Sequence, residues 1–240
     1  MRVTWGRIAL AGMLPVLLIA QGCSDDIVCG DTPQEVTPYI SARVVESRDP
    51  GGDLTLVQVF CAADPLPDLL SAAVNDRAIS HVGPDNHGLL ATLEEPSIVW
   101  QAGTRCSLRV ITEFGVATSG SYLPMPFAVS APESIAVGDT LTVTWRASER
   151  ADYFGVSMLL AAGTPDEKTI TATVRDTFAV FLPSALSAAG ELSGSVSAVS
   201  GPYPDGGSPG NITGAGWGFF TAAYRDSASA FRVMITVPGP

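Results

Sequence analysis

Among the side chains that carry chemistry, the two histidines come first. His81 and His87 flank Gly83-Pro84-Asp85-Asn86. Two imidazoles with a carboxylate and an amide between them supply donors for a metal ion or for acid–base work. Their spacing matches no metal-ligand pattern, and Gly-Pro-Asp-Asn is turn chemistry, so the segment reads as a polar turn. Paired carboxylates occur at Glu94-Glu95 and Asp166-Glu167. Neighbours on a strand face opposite sides, so neither pair forms an acid–base dyad. Asp49, Asp53 and Asp205 lack the oxygen density that calcium requires. No Gly-x-Ser-x-Gly elbow is present, and both histidines lie in the first half of the chain, away from any activated serine or cysteine. The expectation is a chain that is not an enzyme, with no catalytic residues, no metal and no cofactor.

Binding chemistry is concentrated in residues 201–226, GPYPDGGSPGNITGAGWGFFTAAYRD. This stretch exceeds an ordinary sandwich loop, and long loops are often functional. Its aromatic residues Tyr203, Trp217, Phe220 and Tyr224 are the ligand-binding candidates, offering ring faces to a sugar or anchors to a protein partner. The competing reading makes 216–225 an extra strand that packs its aromatics inward, its glycines permitting close approach. Gly214, Gly216 and Gly218 form no phosphate cradle, because no Lys-Ser/Thr follows and no strand-to-helix frame surrounds them. Asn211-Ile212-Thr213 matches a glycosylation sequon.

Four cysteines are present. Cys23 ends an N-terminal stretch in which Arg2 and Arg7 precede an apolar run from Ile8 to Ala20, followed by Gln21-Gly22. Positive, apolar, then small is the order of an export signal. The apolar run, about 13 residues or ~20 Å as a helix, falls short of the ~30 Å hydrocarbon core of a membrane. Ending on Gly22-Cys23, the stretch resembles the lipobox of bacterial lipoproteins, departing from it at Ala20, where that family prefers Leu. The resemblance implies cleavage after residue 22, acylation of Cys23 and a membrane anchor. Residues 1–22 are then the signal peptide and 23–36 an acidic tether. Delivery to the outer membrane, on its periplasmic or its surface face, would follow from Ser24 and the Asp25-Asp26 pair.

Downstream, short segments alternate with a period of two. Ile40, Ala42 and Val44 share one face; Val57, Val59 and Cys61 share another; Cys106, Leu108 and Val110 share a third. Strands are expected over 54–61, 73–79, 89–93, 97–101, 105–112 and 116–123, with a turn at 49–53 and a helical turn at 68–71. If the second and third of those faces oppose each other, Cys61 and Cys106 form a disulfide in an oxidising compartment, with Cys29 pairing to either as the rival. Leu123-Pro124-Met125-Pro126 then marks a boundary, because two prolines end a strand and stiffen the joint. Beyond it, Leu141, Val143 and Trp145 alternate with threonines, and further strands are expected at 154–160, 168–174, 177–182, 192–199 and 231–237. Leu186 would plug the core from a corner at 182–190.

Residues 138–158, GDTLTVTWRASERADYFGVSM, with Trp145 and the Tyr153-Phe154 pair, resemble the opening strands of fibronectin type III and related immunoglobulin-like domains. Residues 182–200 are similar to their E–F corner and F strand, and 102–115 resemble them more loosely. The Cys61–Cys106 pair resembles the inter-sheet disulfide of immunoglobulin domains, although no Trp lies between the two at the expected strand position. The resemblance implies an all-β chain of two tandem immunoglobulin- or fibronectin-III-like β-sandwiches. The first covers 37–124 and the second 125–240, with 201–226 as an insertion.

The full chain has 240 residues and a formal charge of −11. Removal of residues 1–22 takes away Arg2 and Arg7 and no acid, leaving −13. Such a surface repels nucleic acid and anionic headgroups, which excludes nucleic acid as a partner. The expected molecule is therefore a lipid-anchored envelope protein with a non-enzymatic binding or structural role, its ligand a protein or a glycan. The alternative is a carbohydrate-binding accessory module, or an enzyme, of a polysaccharide-degrading system.

Overall fold

The computed structural model describes residues 37–49, 52–62, 69–79, 81–85, 88–95, 100–205 and 207–237, with backbone alone at 49, 52–53, 69–70, 81–85 and 88–95. The signal peptide, Cys23, the tether, Cys29 and His87 lie outside the described residues.

Eight strands precede the proline joint: β1 (Tyr39–Asp49), β2 (Gly52–Ala62), β3 (Leu69–Val74), β4 (Arg77–Ala78), β5 (His81–Asp85), β6 (Gly88–Glu95), β7 (Arg105–Thr112) and β8 (Gly115–Tyr122). They form two sheets, in the orders β1-β2-β6-β5 and β8-β7-β3-β4. With the strands lettered in chain order these are ABED against GFC plus C′, the immunoglobulin arrangement. The expected inward faces are the buried ones. Ile40, Val44, Val57, Val59, Cys61, Cys106 and Val110 are all fully buried in one cluster.

Two expectations are corrected here. Residues 69–71 are strand rather than helical turn. The strand expected over 73–79 is instead a hairpin, folded at Asn75 and Asp76, whose φ values of 50° and 61° place both in the left-handed region. Two left-handed residues make a type I′ turn, and Asn and Asp tolerate that conformation better than other non-glycine residues.

After the joint come β9 (Val129–Ser130), β10 (Ser134–Ala136), β11 (Leu141–Trp145), β12 (Tyr153–Leu160), β13 (Lys168–Val174), β14 (Phe178–Phe181), β15 (Gly190–Ser200), β16 (Thr213–Gly214), β17 (Trp217–Asp226) and β18 (Ala230–Thr236). One sheet is β14-β11-β9; facing it, β13-β12-β15-β18-β10 is the GFC-type sheet, with β10 pairing parallel to β18. The core holds Leu141, Val143, Met158, Leu160, Leu192, Val196 and Leu186. Leu186 is fully buried beside a 3-10 turn at Pro183–Ala185, so the corner does plug this core.

The insertion joins the two sandwiches. β17 pairs antiparallel with the end of β15, Ala198 opposite Tyr224 and Ser200 opposite Ala222. Over its whole length it also pairs parallel with β1, from Tyr39 opposite Trp217 to Arg48 opposite Asp226. One sheet of ten strands therefore runs through both sandwiches. Phe220, Ala222 and Ile212, all from the insertion, belong to the core of the first sandwich. The glycines explain the fit: a Cβ on Gly218, whose φ is +133°, would collide with the Ile40 carbonyl oxygen. Only glycine lets the strand enter at that distance. The proline joint is fixed as well. Ser148 Oγ donates to the Met125 carbonyl, Met125 N donates to the Glu149 carbonyl at 3.0 Å, and Arg150 donates to the Gly103 carbonyl at 2.8 Å.

Candidate functional site

The pleat of β17 divides three of the four aromatic candidates, Trp217, Phe220 and Tyr224. Phe220 and Tyr224 point inward; Phe220 is fully buried and Tyr224 is 7 % exposed. Neither has a free ring face, so neither can stack on a ligand, and both leave the candidate set. Tyr224 Oη donates to Asp226 at 3.3 Å, and burial, reinforced by the Asp226 charge, pushes its phenol up to about 12.

Tyr203 is occupied by its own surroundings. Its hydroxyl donates to the Thr173 carbonyl at 3.0 Å, the Arg175 guanidinium sits 4.2 Å from its ring centroid, and the Tyr153 ring packs edge-on at 5.3 Å. Arg175 also pairs with Asp205 at 3.2 Å. The Asp205 carboxyl is held below its usual range, first by the Gly207 amide and also by Ser208 and Arg175. This group pins the start of the insertion to β12 and β13, a packing task.

Trp217 is different. It is 54 % exposed on the outer face of the shared sheet. Parallel register sets Tyr39 beside it, with ring centroids 4.8 Å apart at 63°. Phe219, two residues on and on the same face, meets Tyr39 at 6.3 Å and 71°. Edge-to-face contacts of this kind are favourable and hold the rings in place. Antiparallel register then brings Phe60, opposite Ser41, into the next row, and a polar row follows in which Arg43 Nε donates to Gln58 Oε1 at 2.5 Å. The result is an aromatic cluster bordered by hydrogen-bonding side chains. Phe219 belongs to the aromatic-rich stretch 201–226, but Tyr39 carries no signal in the sequence. It is far from the insertion along the chain, and only the β1–β17 register reveals it.

The expected disulfide is not made. Cys61 on β2 and Cys106 on β7 are free, buried thiols in one core. Sharing an inward-facing core is not enough for a bridge, which needs the two sulfurs about 2 Å apart, and here they are not joined. Unbridged, each packs as a small apolar side chain. Burial pushes the Cys61 thiol up to about 11. Burial, with the Glu46 charge adding to it, pushes Cys106 up to about 12. Neither supplies a thiolate for metal binding or nucleophilic attack near neutrality.

Glu46 is itself fully buried on β1. It accepts from Thr55 Oγ1 at 2.5 Å and pairs with Arg48 at 2.8 Å, and Arg48 donates to the Trp100 carbonyl at 3.2 Å. A buried charge persists only when paired in this manner. Glu46 itself is 0 % exposed, while the Arg48 side chain that neutralises it is 23 % exposed.

His81 lies on β5, where its backbone pairs opposite Ala91. Among the described residues, no group of three or more His, Cys, Asp or Glu side chains could hold a metal ion. No helix among them is long and apolar enough to cross a membrane.

No protein-family model matches the sequence, and no curated protein matches it. Among solved structures, a tandem pair of titin immunoglobulin domains is 14% identical, covering 79% of this chain and 97% of that one, at a TM-score of 0.25. The human OSCAR ligand-binding domain is 13% identical, covering 78% of this chain and 95% of that one, also at 0.25. Superpositions that loose carry no argument by themselves. The strand order is what makes both halves of this chain immunoglobulin-like sandwiches.

Proposed function

We propose that this chain is a lipid-anchored protein of the cell envelope, held through Cys23 in the outer membrane, with a non-enzymatic role in binding. The outward aromatic cluster of Tyr39, Trp217 and Phe219 carries the reading. A half-exposed tryptophan costs apolar surface in water, and here Tyr39 packs against it on the sheet, with Phe219 packed in turn against Tyr39. Rigid aromatic side chains next to polar groups are what recognition surfaces use. The ligand is a protein or a neutral glycan.

The glycan reading, an accessory module of a polysaccharide-degrading system, draws on the same cluster, because Trp217 remains 54 % exposed while Tyr39 packs against it. The enzyme alternative would need His81 or His87 beside a carboxylate or serine in a cleft.

Two measurements test the proposal. Fractionation of cells making the wild type and Cys23→Ser should place the wild type in membranes and release the variant. Equal release of both removes the anchor. Affinity electrophoresis in gels containing neutral soluble polysaccharides should show retardation that Trp217→Ala and Tyr39→Ala abolish. Absence of retardation for the wild type assigns the cluster to a protein partner, and equal retardation of all three forms removes it from the function.

A further inference from the structure

The outer face of the β8-β7-β3-β4 sheet holds a groove of about 430 Å³, within the range of small-ligand sites. Its floor follows from the pleat. Arg105, Ser107 and Arg109 project outward between the buried Cys106, Leu108 and Val110, and they lie opposite Tyr122, Gly120 and Thr118. One wall is the Asn75-Asp76 turn, fixed where Asn75 Oδ1 accepts from Ser107 N at 2.8 Å and Asn75 N donates to the Ser107 carbonyl at 2.9 Å. The other wall is residues 211–213, where Ser119 Oγ donates to the Asn211 carbonyl at 2.7 Å and β16 pairs with β8. The Arg105 guanidinium lies across Gly120, where a Cβ would stand 3.0 Å from its Nη2. The missing side chain makes room for the guanidinium plane.

The charge arrangement sets this groove apart. Arg48, Arg175 and Arg232 each pair with a carboxylate. Arg105 and Arg109 have no such partner among the described residues. Asp76 lines the same groove, so two guanidinium groups and one carboxylate face a shared space together with the hydroxyls of Ser107, Thr118 and Thr213.

We propose that this groove binds an acidic saccharide, a short oligosaccharide with a carboxylate on a hydroxylated ring. A guanidinium fork matches a carboxylate in a bidentate manner. Asp76 can only accept, so it selects ligands that bring hydroxyl donors alongside their negative charge. A bare sulfate would set its charge against Asp76 with nothing to donate, and inorganic phosphate would bring a P–OH but crowd its charge directly against Asp76. A neutral sugar would leave both guanidinium groups without a counter-charge. The chain's net charge of −11 repels long, densely charged polymers, which restricts the ligand to a short, sparsely charged one.

Isothermal titration calorimetry of the full detergent-solubilised chain, carrying Trp217→Ala throughout so that the aromatic face contributes no heat, tests this with digalacturonic acid, neutral digalactose, tri-glutamate and inorganic phosphate. The expected result is binding of digalacturonic acid alone. Arg105→Gln and Arg109→Gln should each weaken it by roughly tenfold or more, the worth of a hydrogen bond to a charged group. Asp76→Asn should relax the selectivity and admit inorganic phosphate, while Arg146→Gln leaves binding unchanged. The floor arginines are exposed, so unchanged melting temperatures should accompany these losses. In added NaCl the Trp217→Ala parent should lose affinity and the double arginine variant should show no such dependence. No heat with digalacturonic acid, equal heat with digalactose, arginine variants within twofold of that parent, or equal binding of tri-glutamate or phosphate by it would each overturn the proposal. Because the aromatic face is removed throughout, failure of this site and failure of the aromatic face are separate results.

Discussion

Phe220→Ala should destabilise both sandwiches together, although the residue comes from an insertion within the second and is buried in the first. Phe220 is fully buried in the first core alongside Ile40, Ala42 and Ala117. Removing a buried phenylalanine ring costs about 3–5 kcal/mol, from lost transfer free energy and from the cavity left behind. That is a large fraction of the ~5–15 kcal/mol that holds a typical domain folded. For a chain of this size it corresponds to a fall in melting temperature of roughly 6–20 °C. Coupling arises because β17 pairs along its whole length with β1 and at its end with β15. Two native tryptophans report separately: Trp100 belongs to the first core and Trp145 to the second. Urea unfolding followed by fluorescence in Trp145→Phe/Trp217→Phe and in Trp100→Phe/Trp217→Phe backgrounds should give coincident transitions, both shifted by Phe220→Ala. Trp217→Ala, three residues away on the exposed face, should move neither by more than about 1 kcal/mol. A shift confined to the Trp100 signal would refute the coupling. No shift in either would refute the packing.

Residues 37–124 expressed alone should fail to give a cooperative unfolding transition, because that fragment lacks Ile212, Phe220 and Ala222 of its own core and bares the β1 edge; a sharp calorimetric transition from the fragment counts against this. Trp145 Nε1 is buried with no hydrogen-bond partner among the described residues, so in Trp145→Phe the relief of an orphaned donor, about 1–3 kcal/mol, offsets the lost volume. Urea midpoints should place that variant within about 1 kcal/mol of wild type, whereas Trp145→Ala should lose about 3–5 kcal/mol; a Phe variant as damaged as the Ala variant would rule out the offset. Burial raises the thiols of Cys61 and Cys106 from 9.0 to about 11 and about 12, and the phenols of Tyr153 and Tyr224 from 10.0 to about 12. These groups are neutral when protonated, so their contribution is complete below pH 9 and is lost as pH climbs through 9 to 12. Urea midpoints should be level between pH 7 and 8.5 and lower at 10.5, and a level profile to pH 11 would contradict the burial of these groups.

What the sequence made legible was local. Alternation along Val57–Cys61, Cys106–Val110 and Leu141–Trp145 marks the inward faces correctly, because a half-buried strand shows its period in its own residues. The same logic applies to Phe220, Ala222 and Tyr224: their spacing marks an inward face and supports the extra-strand reading of 216–225. Their alternation does not say which core receives them. That depends on Gly218 passing close to Ile40, a steric match between residues far apart in the chain. The Asn75-Asp76 reversal was missed because its signal is weaker than Asn-Gly; both residues adopt positive φ without a glycine. The aromatic cluster and the arginine groove share a limitation. Trp217 and the Arg105–Arg109 spacing are visible in the sequence, while Tyr39, Gly120 and Asn75 become neighbours only through register.

The edge of β1 explains why the insertion is built as it is. In an immunoglobulin-like sandwich the first strand ends a sheet, leaving a row of unpaired amides and carbonyls that invites association with another chain. Here β1 is eleven residues long, and its inward row is apolar until Glu46. β17 covers that edge over ten register positions and carries Phe220 and Ala222 into the core beneath. A covered edge needs no protective charges, which leaves the outer ends of both strands free to carry Tyr39, Trp217 and Phe219. The feature that makes the two sandwiches one continuous sheet is thus also the one that creates the exposed aromatic cluster. A change such as Gly218→Ala, which expels β17, should abolish stability and aromatic binding together, while Trp217→Ala removes binding alone.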